Sequence, residues 1–130
     1  MTIKKLRRIL YAEDEDDIRA IAQIALEDIG GFTVRYCANG REVLATIKEF
    51  TPDLVLLDVM MPDMDGPTTL RELRKLHNMS EIPAVFMTAK IQTNEIEEYK
   101  TLGAIDVIAK PFNPMTLADE INKAWEKYHG

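Results

Sequence analysis

The chain has 130 residues, a net charge of −6 and an apolar fraction of 46%. That length holds one domain with a substantial core and no second module, and the acidic balance excludes a duplex-binding role for the chain alone. A single cysteine, Cys37, excludes a disulfide framework or a zinc cluster, and no apolar stretch approaches the length of a membrane span.

The basic start Lys4-Lys5-Leu6-Arg7-Arg8 looks like the opening of a secretory signal, but the apolar run after it, Ile9 to Ala12, is far too short. It predicts a first strand, Arg8 to Ala12, in a cytoplasmic, reduced protein. Ile18, Ile21, Ala22, Ala25 and Ile29 recur at helical spacing and stop at Gly30-Gly31. Phe32, Val34 and Tyr36 alternate with Thr33 and Arg35, the pattern of a strand at a sheet edge. Asn39 caps a second helix carrying Val43, Leu44, Ile47 and Phe50, with Glu42 at the capping-box position.

After Pro52, the unbroken apolar run Leu54-Val55-Leu56-Leu57 predicts a strand buried on both faces, ending at Asp58. Leu70, Leu73 and Leu76 mark a third helix and Pro83 to Met87 a fourth strand. Ile91 to Leu102 is a fourth helix closed by Gly103. Ile105 to Ile108 is a fifth strand, and Asn113-Pro114 opens the last helix with a cap and a first-turn proline. That helix carries the apolar stripe Leu117, Ile121, Ala124, Trp125 and Tyr128.

Five strand–helix units imply a doubly wound parallel α/β sheet with right-handed crossovers and helices on both faces. Such sheets bind ligands beyond the carboxyl ends of their strands, where the strand order reverses. The edge-like second strand and the fully apolar first and third fit the order 2-1-3-4-5, already known for flavodoxin-like folds. Asp58 would then lie beside Glu13 and Asp14. Three strand tips carrying acid, acid and base (Glu13-Asp14, Asp58 and Lys110) suggest a metal and phosphoryl site. Each has an ordinary alternative: Asp58 as a turn cap, the acidic run 13–17 as a favourable helix start, Thr88 as a loop hydroxyl, Lys110 as a solvated lysine. His77 and His129 lie away from these tips, and Cys37 reads as a small core hydrophobe.

Four elements in order, Glu13-Asp14, Asp58 with its Met-Pro-x-x-x-Gly tail, Phe86-Met87-Thr88-Ala89 and Ala109-Lys110-Pro111-Phe112, resemble the receiver domains of two-component response regulators, including the single-domain chemotaxis regulator. The resemblance covers roughly residues 6 to 128, so residues 1–130 are expected to form a single receiver domain without an output domain. It implies that Asp58 is a phosphoacceptor, that Lys110 and the Thr88 hydroxyl contact phosphoryl oxygens, and that Mg²⁺ is the cofactor. Asp14, Asp58 and the main-chain carbonyl of Met60 would ligate the ion, with Glu13 acting through water. Partners would be a histidine kinase or histidine phosphotransfer protein, and a downstream protein reading the face of the fourth helix, fifth strand and fifth helix. No direct nucleic-acid or membrane contact is expected, nor any enzyme activity beyond Mg²⁺-dependent self-phosphorylation and slow self-dephosphorylation. The resemblance also raises the expectation of a cis Lys110-Pro111 bond.

Three positions depart from the family pattern. Val107 stands where many receivers place a Tyr or Phe that rotates inward, while Met60 and Lys90 stand where polar or acidic groups often place the hydrolytic water. Val107 favours a different class, a phosphorylation-independent interaction domain; the intact acids, Thr88 and Lys110 favour the phosphoacceptor. A phosphatase on a similar sheet ranks last, because there is no glycine-rich phosphate loop and no second Asp two residues after Asp58.

Overall fold

The computed structural model of the chain describes residues 4–76, 79–89 and 93–129. His77 and Lys90, and with Lys90 the start of the expected fourth helix, lie outside the described residues. The strands are β1 (Arg8–Ala12), β2 (Thr33–Cys37), β3 (Leu54–Asp58), β4 (Ala84–Thr88) and β5 (Ala104–Ala109). The helices are α1 (Asp16–Gln23), α2 (Gly40–Phe50), α3 (Gly66–Arg74), α4 (Thr93–Thr101) and α5 (Leu117–His129). All five strands are parallel, in the order β2-β1-β3-β4-β5. This is the doubly wound α/β fold expected from the alternation of patterns.

Burial along the strands explains the two-sided sheet. Every residue of β3 and β4 is buried, whereas β2 alternates exposed and half-buried positions before Cys37. Leu10, Val55, Leu57 and Phe86 face one side, where they meet Val43, Ile47, Leu70, Leu73 and Tyr99. Ile9, Tyr11, Leu54, Leu56, Val85 and Met87 face the other, against Ala22, Leu26, Leu117, Ile121 and Trp125. Each fully buried aliphatic side chain contributes about 1.5–3 kcal/mol of transfer free energy. A charge at Leu56 would therefore remove an anchor and desolvate an ion in the same position.

Local signals hold, with two differences. The Asn39 side chain accepts a hydrogen bond from the Glu42 N–H at 2.9 Å, and the Glu42 carboxylate accepts one from the Ala38 N–H at 3.1 Å. The first helix passes into a π-helical turn, Ile24–Ile29, before the left-handed Gly31 (φ 74°). The widened turn lets the N–H of Phe32 reach the carbonyl of Leu26, and Glu27 accept from the Tyr36 hydroxyl at 2.9 Å. The second difference is at Asn113-Pro114, which does not begin α5. Its side chain accepts from Met115 N–H and its carbonyl from Thr116 and Leu117, forming a turn that delays the helix to Leu117. An Asn that bonds its own following backbone favours a turn over continued helix.

Candidate functional site

The sheet register sets the site. Ala12 pairs with Leu57, so Glu13 and Asp58 leave adjacent strands at the same height, and Thr88 pairs with Ala109, the residue before Lys110. Main-chain bonds extend the ladder past the tips: Glu13 N–H to Cys37 at 2.9 Å, Val59 N–H to Met87 at 2.9 Å and Lys110 N–H to Thr88 at 2.9 Å. The structure thus brings Glu13, Asp14, Asp58, Thr88 and Lys110 to one end of the sheet. The Lys110-Pro111 bond is cis, as the resemblance implied.

The Lys110 ammonium bridges two carboxylates, donating to Glu13 Oε1 at 2.8 Å and Asp58 Oδ2 at 3.0 Å. Glu13 is 0% and Asp58 3% exposed, so both charges lie in a dry setting that tolerates them only because they are paired. Glu13 Oε1 also accepts from the Tyr11 hydroxyl at 3.4 Å, and Oε2 from the Glu15 N–H at 3.3 Å. Asp14 is exposed, and one oxygen from each of Glu13, Asp14 and Asp58 lies within 4.8 Å of the others.

Burial pushes the Asp58 carboxyl up to about 6, with the Glu13 charge adding to the shift and Lys110 opposing it. Glu13 goes the other way. Burial disfavours its charge, but Lys110, Asp58 and the Glu15 N–H together hold it below the usual carboxylate range. Burial acts against the Lys110 charge too, and the two carboxylates overcome it and keep the amine protonated. Three carboxylates and one ammonium leave a net charge of about −2 when all are ionised. Hard oxygen donors with that residual charge suit a small divalent cation such as Mg²⁺.

The loop after Asp58 is shaped by a close approach. Gly66 donates its N–H to Val59 at 2.9 Å, and a Cβ on Gly66 would lie 2.5 Å from the Asp58 carbonyl oxygen. Asp65 caps α3 through the Thr68 N–H at 2.8 Å. The glycine of the Met-Pro-x-x-x-Gly tail therefore allows α3 to start against the strand that carries Asp58. Met60 is 75% exposed, its side chain turned to solvent beside the site.

Some contributors were not singled out from the sequence. Tyr11 was read only as part of an apolar strand; its polar tip was the available signal. Arg19, on α1, donates to the Glu13 main-chain carbonyl and to the Asp16 carboxylate. Val107 is half-buried and pairs in register with Phe86 of β4, on whose ring Tyr99 of α4 packs with centroids 4.9 Å apart.

Residues 9–122 match the family model of the response regulator receiver domain. The chain is 35% identical over 117 residues to the regulatory protein AtoC of Escherichia coli, covering 90% of this chain and 24% of that protein. It is 40% identical over 114 residues to a probable transcriptional regulator ycf27 of Porphyridium aerugineum, covering 88% of this chain and 46% of that protein. It thus spans about half or less of the length of these relatives. Among solved structures, Vibrio cholerae chemotaxis protein CheY4 superposes with a TM-score of 0.85 at 29% identity, covering 92% of this chain and 98% of that one. Family, fold and relatives agree: the chain belongs to the response regulator receiver domains of two-component signal transduction.

Proposed function

We propose that Asp58 accepts a phosphoryl group from a phosphohistidine donor, a histidine kinase or histidine phosphotransfer protein, in a Mg²⁺-dependent reaction. The supporting observation is the bridging of Asp58 and Glu13 by Lys110 beside Asp14. Asp14, Asp58 and the Met60 carbonyl would hold Mg²⁺, and Glu13, buried and already engaged, would act through water. Bound there, Mg²⁺ supplies the positive charge that lets an anionic carboxylate approach an anionic phosphoryl group.

The chain's own residues carry the remaining steps. An Asp58 carboxylate oxygen attacks phosphorus, and the bond from phosphorus to the donor imidazole nitrogen breaks with its electron pair on that nitrogen. The product is an acyl phosphate. Lys110 transfers its ammonium from the carboxylate to a phosphoryl oxygen, and the Thr88 hydroxyl donates to another. The modified tip changes how the α4, β5 and α5 face binds a downstream protein. The role is cytoplasmic signalling by protein contact, without nucleic-acid or membrane binding by this domain and without turnover of a separate substrate.

Val107 favours a second reading, a receiver-like domain that binds its partner without phosphorylation. One experiment separates the two: incubation with a small acyl-phosphate donor, with and without Mg²⁺, followed by mass analysis. The phosphoacceptor reading expects one phosphoryl group on Asp58, only with Mg²⁺ present, and none in folded Asp58→Asn. No uptake by the wild type, or uptake on another residue, refutes it.

A further inference from the structure

The Asp14 carboxylate has no hydrogen-bond partner among the described residues, yet its oxygen lies within 4.8 Å of those of Glu13 and Asp58. Three carboxylates at that separation repel one another. The position of Asp14 must therefore come from its backbone, the turn between β1 and α1. That turn and the first two residues of α1 are acidic throughout, Glu13-Asp14-Glu15-Asp16-Asp17. Among the described residues, the cations that reach it by hydrogen bond or ion pair are Lys110 and Arg19.

We infer that Arg19 is a positioning residue for the divalent-cation site, an inference that rests on the proposed Mg²⁺ role of Asp14. One arm of its guanidinium, Nη1, donates to the Glu13 main-chain carbonyl, the peptide group that leads directly into Asp14; the other, Nη2, donates to the Asp16 carboxylate. The Arg19 side chain is 23% exposed and Asp16 88%, so the fork reaches from a covered stem across both ends of the turn. The Arg19 main-chain N–H to the Glu15 carbonyl, 3.1 Å, is the ordinary first-turn bond of α1, which any residue at this position would keep. Clasped in this way, the turn keeps Asp14 facing Asp58 against their mutual repulsion before any cation arrives. Without the clasp, repulsion drives Asp14 outward, and cation binding must first gather the acids again.

Charge and geometry make opposite predictions here. Deleting a cation beside the site would by itself tighten Mg²⁺ binding, whereas losing the clasp would weaken it. Arg19→Lys separates them, because it keeps the charge but loses the planar two-armed geometry. The test is calorimetric titration with Mg²⁺ alone, on wild type, Arg19→Lys and Arg19→Gln, with an amide spectrum of Asp14 before and after addition.

The positioning role expects both variants to bind Mg²⁺ about tenfold more weakly. It also expects the Asp14 amide to broaden in the metal-free variants and recover at saturation. Phosphoryl uptake should return to the wild-type rate at high Mg²⁺, which shows as a rise in the Mg²⁺ concentration needed and not as a lower maximum. Lower thermal stability with unchanged Mg²⁺ affinity would reduce Arg19 to a structural residue and overturn the inference. So would Arg19→Lys equal to wild type with Arg19→Gln tighter. A wild-type protein that binds no Mg²⁺ would instead remove the metal reading of the site itself.

Discussion

Gly66→Ala tests how tightly the acceptor strand and α3 are joined. The added Cβ would lie 2.5 Å from the Asp58 carbonyl oxygen and 3.1 Å from Val59 Cα, where ordinary contact begins at 3.4 Å. Both neighbours are backbone, so no side chain can rotate away; strand tip and helix start must separate by about 0.9 Å. Overpacking of this kind costs about 1–3 kcal/mol of stability. The function should suffer more. The displaced peptide belongs to the nucleophile, and a misplacement near 1 Å can slow a reaction by about a hundredfold. Denaturant unfolding would measure the first effect, and the initial rate of phosphoryl uptake from a small acyl phosphate, at saturating Mg²⁺ and a temperature well below unfolding, the second. The expected outcome is a folded protein with a stability loss in that range and an uptake rate reduced by about ten- to a hundredfold. A rate equal to wild type, with the stability loss present, would refute the link between this contact and the placement of Asp58.

Two further outcomes follow from other parts of the molecule. Asp53 is disfavoured as an ion by burial, but bonds from Lys4 and from the N–H groups of Arg8 and Arg7 outweigh this and hold its carboxyl below the usual range. A group depressed in the folded state stabilises above its unfolded pKa and loses that contribution as pH falls through the folded value. Asp53→Asn should therefore cost about 1 kcal/mol at neutral pH, less in high salt because Lys4 is largely exposed, and the difference from wild type should shrink below about pH 4. A difference independent of pH between 7 and 2 would count against the ionic origin. Separately, the aspartyl phosphate should be long-lived, since Met60 offers no side chain that orients water and Lys90 cannot serve as a carboxylate base. Pulse-labelled protein should retain its label longer than a Met60→Asn, Lys90→Glu double variant; equal loss would show that these positions do not set the lifetime.

Much of the fold was legible in the sequence because its signals are local. Apolar runs such as Leu54–Leu57 and helical spacing such as Val43, Leu44, Ile47 depend on residues a few places apart, and these set the five strands and the alternating helices. The same locality placed Asp58, Glu13-Asp14 and Lys110 at strand tips. Where two local signals competed, at Asn113-Pro114, the side-chain-to-backbone bond prevailed and the helix started later.

The placement of groups far apart in the chain was decided by the tertiary structure. The Lys110 ammonium meets Glu13 across 97 residues and Asp58 across 52. No periodicity specifies that one amine bridges both acids, or that burial raises Asp58 while its neighbour falls. Nor does the Met-Pro-x-x-x-Gly pattern by itself specify that β3 and α3 touch through the missing side chain of Gly66. The sequence alone showed that Val107 lacked an aromatic ring; packing showed that Tyr99 brings one to Phe86 from the neighbouring helix. Local pattern determines which elements form and which residues end them, because backbone propensity and amphipathic spacing act over a few residues. Partners, burial and charge balance arise only when separate elements close on one another, because desolvation and Coulomb energies depend on distance through space and not along the chain.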